Sequence, residues 1–208
     1  MSAAGAGDPA GGPAGGAGPQ GPGRWLFQNR GWLPAPLVAA MILSPDLSGW
    51  GPPPWAIWPG AALIALGEGL RLWAVGHIGR RSRTRGGDVG GLVAAGPYAR
   101  VRNPLYIGNV LIFAGVGAIR WPWALVVVPL LCLHYRWIVA WEEQNLSAQI
   151  GRPYLDYLAR VPRWWPARSG IAPDPGAWSG REALRSERGT FAVLAVVLAA
   201  LALRAQIA

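Results

Sequence analysis

Residues 96–108 read GPYARVRNPLYIG, and a long apolar run begins within this stretch at Pro104. Proline fits the first turn of a helix, where its missing backbone N–H would have no partner, and asparagine is a favourable cap before it. Arg100 and Arg102 lie just before the apolar run. The stretch therefore predicts a polar, arginine-bearing loop that leads into an apolar helix, with Asn103 as its N-cap.

The composition indicates a membrane protein. Of the 208 residues, 52% are hydrophobic and only 14% are charged, whereas soluble domains carry nearer a quarter charged residues. The 13 tryptophans agree, because indole rings favour the membrane–water interface. All 19 basic residues are arginine, and we attribute the net charge of +9 to membrane topology. The expected partner is therefore the lipid bilayer and not a nucleic acid.

Cysteine and histidine are scarce. The one cysteine, Cys132, lies inside an apolar run, which excludes a disulfide framework within the chain. The two histidines, His77 and His134, show no metal-ligand spacing, so no metal site is expected. His134 is interpreted as a packing residue.

Apolar runs divide the chain into segments. Residues 1–23 are rich in Gly, Ala and Pro and predict a disordered tail without the features of a secretory signal. Residues 24–170 form the predicted membrane core, residues 171–189 a linker, and residues 190–208 a C-terminal transmembrane helix. The predicted spans are Trp32–Leu43, Trp55–Ile78, Pro104–Ile119, Trp123–Trp141 and Thr190–Leu203. The first would need its flanks to cross, since a span takes about 20 residues.

The expected fold is thus all-α and polytopic, with about five transmembrane helices. Arg120–Pro122 forms a tight turn between the third and fourth runs, so these two helices form an antiparallel hairpin. Fifteen arginines fall on the side of the tail, the 79–103 loop and the 142–189 segment, and Arg120 and Arg204 fall opposite. Positive charge marks the cytoplasmic side. We therefore expect an inner or plasma membrane protein with a cytoplasmic N-terminus.

Glu68 and Arg71 lie within the second predicted span, three residues apart and hence on one helical face. A pair that faces the protein interior is much less costly than two charges that face lipid. Two interpretations remain open. The pair is a structural ion pair, or Glu68 lines a site.

The hairpin predicts where its polar residues meet. Helices of similar length joined by a tight turn start and finish at the same depth, so Tyr98, Arg102, Asn103 and Tyr106 should lie near Glu142 and Glu143, with Arg136 at the same exit. The following segment, RPYLDYLARVPRWWP, predicts a short amphipathic helix broken at Pro162. Leu155 and Leu158 would share its apolar face, and Trp164 and Trp165 would anchor it at the interface. Such a site is open to water and to lipid.

The order of these motifs resembles that of a known group of membrane enzymes. GPYARVRNPLYIG, followed by EEQNL and IGRPYLDYLARVPRWWP, is similar to the isoprenylcysteine carboxyl methyltransferase and phospholipid methyltransferase family over residues 90–166. The matching residues are Gly96, Pro97, Tyr98, Arg102, Pro104, Tyr106, Gly108, Glu142, Glu143, Leu146, Gly151, Tyr154, Tyr157 and Pro162. The resemblance implies a cytoplasmic S-adenosylmethionine site without a Rossmann domain, and no G-x-G-x-x-G stretch follows a strand pattern.

The resemblance also implies the site residues. The catalytic set is Arg102, Glu142 and Glu143. The cofactor-binding set is Gly96, Pro97, Tyr98, Val101, Asn103, Tyr106, Glu142, Glu143, Tyr154 and Tyr157, with no metal. Asn103 stands where the family usually has histidine, and an asparagine cannot titrate near neutral pH.

The methyl acceptor is expected to be lipophilic, and its chemistry stays open. A carboxylate acceptor is ionised at neutral pH and needs orientation by Arg102 more than it needs a base. An amine acceptor, as in a phospholipid N-methyltransferase, would need a glutamate base, and a small thiol or another lipid acid is a further alternative. A transporter or scaffold that uses Glu68, Arg71, His134 and Arg136 as a polar path is the non-enzymatic alternative.

Overall fold

The computed structural model describes residues 22–45, 54–78, 92–167 and 178–207. Within these ranges all regular structure is helical, which confirms the all-α prediction for this part of the chain. The helices are α1 (Pro22–Asn29), α2 (Ala35–Leu43), α3 (Pro54–Ile78), α4 (Pro104–Ile119), α5 (Ala124–Ile150), α6 (Arg152–Arg160) and α7 (Gly180–Ile207), with a short 3-10 turn at Gly96–Ala99. Most of the predicted tail, the arginine-rich loop at 79–91 and part of the predicted linker lie outside the described residues.

The predicted hairpin is present, but its second helix is longer than its apolar run. α4 has the predicted bounds, whereas α5 continues past Trp141 to Ile150. Residues 142–150 contain good helix formers and no proline or glycine, so nothing ends the helix before Gly151. Gly151 has φ +71°, a left-handed conformation that favours glycine. Glu142 and Glu143 therefore lie inside a helix and not at its end.

Glycines bring α3 and α4 close together along an antiparallel seam. A Cβ added to Gly67 would lie 2.6 Å from the Gly108 carbonyl oxygen, and one added to Gly115 would lie 2.4 Å from the Gly60 carbonyl oxygen. Small residues of this kind let helix backbones approach in a membrane, where packing takes over from the hydrophobic effect. The seam fixes the depth of α3 relative to the hairpin.

Arg71 joins three helices at the level of this seam. A Cβ added to Gly108 would lie 2.6 Å from Cγ of Arg71, so Gly108 makes room for the arginine stem. The guanidinium of Arg71 donates to Asn109 of α4, and to Glu187 (2.5 Å) and Thr190 (3.1 Å) of α7. Its Nε lies 3.6 Å from Oε2 of Glu68, which confirms the predicted pair. Glu68 is buried, as expected for a pair that faces the interior.

The C-terminal helix begins earlier than hydropathy predicts. α7 begins at Gly180 and not at Thr190, so the linker prediction is wrong for residues 180–189. The polar first turns of α7 are held by Glu187, which is 1% exposed and paired with Arg71. A hydropathy pattern does not detect a helix whose first turns pack through charge.

α1 contacts α5 near Trp141, and the residue after α2 contacts the residue before α5. The Phe27 and Trp141 rings lie 4.8 Å apart at one end, and the Trp123 indole donates to the Ser44 hydroxyl at 3.0 Å at the other. Arg120 also donates to the carbonyl oxygens of Met41 (3.1 Å) and Ser44 (2.9 Å), which end α2. α2 itself has 9 residues, too few to cross a bilayer alone.

By length and composition, three helices of the described chain can cross a membrane: Pro54–Ile78, Ala124–Ile150 and Gly180–Gln206. α4 is a shorter apolar helix of 16 residues. The arrangement is compatible with five crossings, and that number remains a prediction.

The glycine seam can be tested with a matched pair of substitutions. Gly67→Ala forces a Cβ against the Gly108 backbone and should lower stability by about 1–3 kcal/mol. Gly69→Ala meets no atom within 4 Å and should be neutral or stabilise the helix by up to about 1 kcal/mol. Thermal unfolding of both variants in the same detergent measures the difference, and equal melting temperatures would contradict the seam.

Candidate functional site

The 3-10 turn Gly96–Ala99 lies against the end of α3. Gly96 has φ +57°, and a Cβ at this position would lie 2.2 Å from Nε2 of His77. Only glycine satisfies both conditions. Pro97, Tyr98 and Ala99 are buried behind it. The turn is therefore fixed to α3 as well as to the hairpin.

The segment between this turn and α4 pairs with the chain that follows α6. Pro104 occupies the predicted first position of α4 and Asn103 the predicted N-cap position, but the Asn103 side chain makes no capping hydrogen bond. The amide nitrogen of Asn103 donates instead to the Arg163 carbonyl oxygen at 3.2 Å. The backbone N–H of Arg102 donates to the Pro162 carbonyl oxygen at 3.0 Å. The Asn103 side chain is thus bonded to the backbone after α6, and its amide oxygen does not accept from the first turn of α4.

The two open ends of the hairpin meet through side chains. The Tyr106 hydroxyl of α4 donates to Oε2 of Glu142 at 3.0 Å. Arg102 Nη1 lies 3.0 Å from Oε1 of Glu143. The predicted residues of the hairpin entrance thus contact the predicted carboxylates of its exit.

The two carboxylates have different surroundings. Glu143 is buried, and its two oxygens are shared between Arg102 and Arg163: Arg163 Nε donates to Oε1 at 3.1 Å, and Arg163 Nη2 donates to Oε2. Glu142 is half-buried and accepts the Tyr106 hydroxyl, and the charge of Arg30, after α1, acts on it. Glu143 therefore fixes two guanidinium groups, while Glu142 is the carboxylate with less direct pairing.

α6 closes the site with two tyrosines. Tyr154 and Tyr157 are buried with ring centroids 5.8 Å apart, and the Tyr157 hydroxyl donates to the Tyr98 carbonyl oxygen at 2.8 Å. Burial raises the pKa of both phenols, so they remain protonated donors at neutral pH. Leu155 is 48% exposed and does not share the buried face with Leu158, contrary to the prediction. α6 ends at Arg160, just before the predicted break.

Two buried polar atoms of the predicted site have no hydrogen-bond partner among the described residues: Oη of Tyr98 and Nε of Arg102. Burial, and after it the negative charge of Glu142, raises the pKa of the Tyr98 phenol, so the hydroxyl keeps its proton. Val101, which lies between Tyr98 and Arg102 in the sequence, is also buried. Buried groups without partners are rare in folded proteins and indicate a bound ligand or water.

The sequence analysis missed one residue of this cluster and misplaced another. Arg163 was not selected, although it follows Pro162 directly in a motif segment, and that position is the only sequence signal for it. Arg136 was expected at the hairpin exit, but its side chain is exposed on α5. Residues three or four apart share a helix face, whereas Arg136 and Glu142 are six residues apart. Their nearness in sequence therefore does not bring Arg136 to the site.

Comparison with known proteins supports a family assignment. A sequence model described as phospholipid methyltransferase matches residues 55–152. The chain is 32% identical over 113 residues to "Cobalt-zinc-cadmium resistance protein CzcN" of Cupriavidus metallidurans, a match covering 53% of this chain and 47% of that protein. It is 31% identical over 121 residues to "Nickel-cobalt-cadmium resistance protein NccN" of Alcaligenes xylosoxydans xylosoxydans, covering 54% of each.

The chain thus spans about half the length of these curated relatives. No solved structure matches it significantly. The family match covers α3, the Gly96–Ala99 turn, α4 and α5, and it ends at Arg152, before most of α6. Residues 55–152 therefore match the phospholipid methyltransferase family model, in agreement with the predicted resemblance to these membrane methyltransferases.

Proposed function

We propose that this protein is an integral membrane S-adenosylmethionine-dependent methyltransferase that acts on a lipophilic acceptor, similar to isoprenylcysteine carboxyl methyltransferases. The observation that supports it is the meeting of the hairpin ends, where Tyr106 contacts Glu142 and Arg102 contacts Glu143. This end of the bundle would face the cytoplasm, as the distribution of arginines indicates.

The residues at this end fit the methyl donor chemically. The donor carries an ammonium, a carboxylate, a sulfonium and an adenosine, which require an anion, a cation and neutral hydrogen-bonding groups. Glu142 supplies a carboxylate for the ammonium, and the buried hydroxyl of Tyr98, which has no partner among the described residues, is a hydrogen-bond donor. The remaining proposed binding residues are Gly96, Pro97, Val101, Asn103, Tyr106, Glu143, Tyr154 and Tyr157.

The bound donor supplies an electrophilic methyl group, and catalysis of its transfer depends chiefly on positioning. Arg102 is the residue proposed to orient the acceptor, because a guanidinium can hold a carboxylate or phosphate in a fixed geometry. Glu143 holds that guanidinium in place and is itself bound by Arg163. Glu143 thus acts through Arg102 in this proposal, whereas Glu142 faces the ligand.

A phospholipid amine is the second candidate acceptor, and the description of the matching family favours it. An amine must lose a proton before or during transfer, so Glu142 would serve as the base while Arg102 contacts the lipid phosphate. Heavy-metal resistance is not part of the proposal, because no three His, Cys, Asp or Glu side chains of the described ranges come together as metal ligands. The transporter alternative loses support, since Arg136 is exposed on α5 whereas Glu68 is buried.

Two tyrosines separate a ligand contact from a structural contact. Tyr98→Phe removes a hydroxyl without a partner and should leave the melting temperature of the free protein unchanged, but it should weaken S-adenosylmethionine binding about tenfold. Tyr157→Phe removes a hydrogen bond to Tyr98 and should destabilise the free protein by about 1 kcal/mol. Thermal-shift titration with S-adenosylmethionine measures both effects.

For the wild-type protein, ligand at about 100 times its Kd should add about 2.7 kcal/mol of stability. The absence of any shift would remove the support for an S-adenosylmethionine enzyme. A tenfold weaker affinity in Tyr157→Phe alone would instead assign the hydroxyl that bonds the ligand to Tyr157 and not to Tyr98.

Arg102→Ala should abolish methyl transfer, by about a hundredfold or more, while the Kd for S-adenosylmethionine changes little, because Arg102 is proposed to orient the acceptor. The control is Arg152→Ala, which removes a largely exposed ion pair with Asp156 and should change neither quantity. Transfer of labelled methyl groups to extracted lipids and calorimetric binding give the two readouts. Collapse of donor binding in Arg102→Ala would move Arg102 into the donor pocket.

A further inference from the structure

The contacts of Tyr106 with Glu142 and of Arg102 with Glu143 define the hairpin mouth. A second charged cluster lies deeper in the bundle. It consists of Glu68 and Arg71 of α3 and Glu187 of α7, all at the level of the α3–α4 glycine seam or packed against it. With two carboxylates and one guanidinium, the three side chains carry one excess negative charge when all are ionised. Charges inside a membrane bundle are costly, and they usually have a functional reason.

Arg71 gives its strong hydrogen bonds to partners other than Glu68. Its Nη1 donates to Asn109, and its Nη2 donates to Glu187 and Thr190. Only Nε faces Glu68, at 3.6 Å, which is an ion contact without a hydrogen bond. Arg71 therefore pairs with Glu187 through a direct hydrogen bond and with Glu68 only through a longer ion contact.

Both carboxylate oxygens of Glu68 are buried and have no hydrogen-bond partner in the described part of the chain. The side chain is 9% exposed. The charges that act on it from the described residues are one cation, Arg71, and one further anion, Glu187. A buried ionised carboxylate without hydrogen bonds requires a proton or an external positive charge.

Contacts connect this cluster with the hairpin mouth. Asn109, which accepts from Arg71, also contacts the Tyr135 hydroxyl, and the Tyr135 ring lies 4.8 Å from that of Tyr106, whose hydroxyl reaches Glu142. The free phenol of Tyr98 lies within electrostatic reach of Glu142 as well as of Arg71 and Glu187. Buried atoms without hydrogen-bond partners among the described residues thus occur both in this cluster, at Glu68 and Arg71, and at the hairpin mouth, at Tyr98 and Arg102.

We propose that Glu68 is an onium-binding residue of the methyl-transfer site, whose carboxylate neutralises a positively charged sulfonium or ammonium group of a bound ligand. This inference rests on the proposed function. A sulfonium or a fully methylated ammonium has no hydrogen to donate, so it is recognised by negative charge and by aromatic faces. Glu68 offers a carboxylate without hydrogen bonds among the described residues, and the buried ring of Tyr98 lies within electrostatic reach of Arg71 and Glu187 of the same cluster. The charge has two possible sources, the methyl donor or a lipid head group.

The test compares two substitutions that remove the same charge from the same cluster. Glu68→Gln should leave the melting temperature of the free protein unchanged or raised, because Glu68 makes no hydrogen bond. Glu187→Gln should lower it, because Arg71 loses its closest charged partner. Unfolding of Glu68→Gln would mark Glu68 as a structural partner of Arg71 and overturn the inference.

Binding to detergent-solubilised Glu68→Gln then distinguishes the two sources. Four probes are used in two pairs. The first pair is S-adenosylmethionine and its uncharged-sulfur product S-adenosylhomocysteine, and the second is phosphatidylcholine and phosphatidylglycerol in mixed micelles. A loss of about tenfold for S-adenosylmethionine but not for S-adenosylhomocysteine assigns Glu68 to the donor sulfonium. The same loss for phosphatidylcholine but not for phosphatidylglycerol assigns it to the lipid head group. Glu68→Asp, which keeps the charge, should retain part of the affinity in either case.

Unchanged affinities in Glu68→Gln for every probe would overturn the inference. If the wild-type protein binds S-adenosylmethionine and only the effect of Glu68→Gln is missing, the proposed function survives. If the wild-type protein binds neither S-adenosylmethionine nor phosphatidylcholine, the inference and the proposed function fail together.

Discussion

The close approach of α3 and α4 is the constraint on which the rest of the described structure depends. Without side chains at Gly60, Gly67, Gly108 and Gly115, the two backbones touch, and the depth of α3 relative to the hairpin is fixed. That depth brings the end of α3 to Gly96 and the Arg71 stem to Gly108. α3, which the sequence shows only as one of several apolar runs, thereby lies against the candidate site.

Charge pairing organises the site in two layers. At the hairpin mouth, Glu143 lies between Arg102 and Arg163 and fixes the loop after α6 to the segment before α4. Deeper in the bundle, Arg71 ties α3 to α4 and α7. In each layer one carboxylate, Glu143 or Glu187, forms a close ion pair with an arginine. Of the second carboxylates, Glu142 accepts from the Tyr106 hydroxyl, and Glu68 lies 3.6 Å from Arg71. In our proposal Glu143 and Glu187 stabilise the structure, and Glu142 and Glu68 bind a ligand.

Arg71 also gives α7 a structural place. Much of α7 is apolar and exposed on its outer surface, as expected of a helix that faces lipid. Its polar first turns are nevertheless helical, because Glu187 and Thr190 bond to Arg71. Arg71 thus stabilises the polar turns of α7, while the Ser179 hydroxyl, which accepts from the backbone N–H of Glu182, caps the start of the helix.

The sequence by itself determined the helical hairpin, the bounds of α4, the Glu68–Arg71 pair and the motif residues that meet at the hairpin mouth. These features follow from apolar length, from the Arg120–Pro122 turn and from helical spacing, which are local properties of the chain. Only the tertiary structure decided that Asn103 bonds to the Arg163 carbonyl, that Leu155 faces outward, that α7 begins at Gly180 and that Arg163 shares Glu143 with Arg102. Each of these depends on a partner far away in the sequence, and a local pattern carries no information about which distant group will satisfy a buried charge or hydrogen bond.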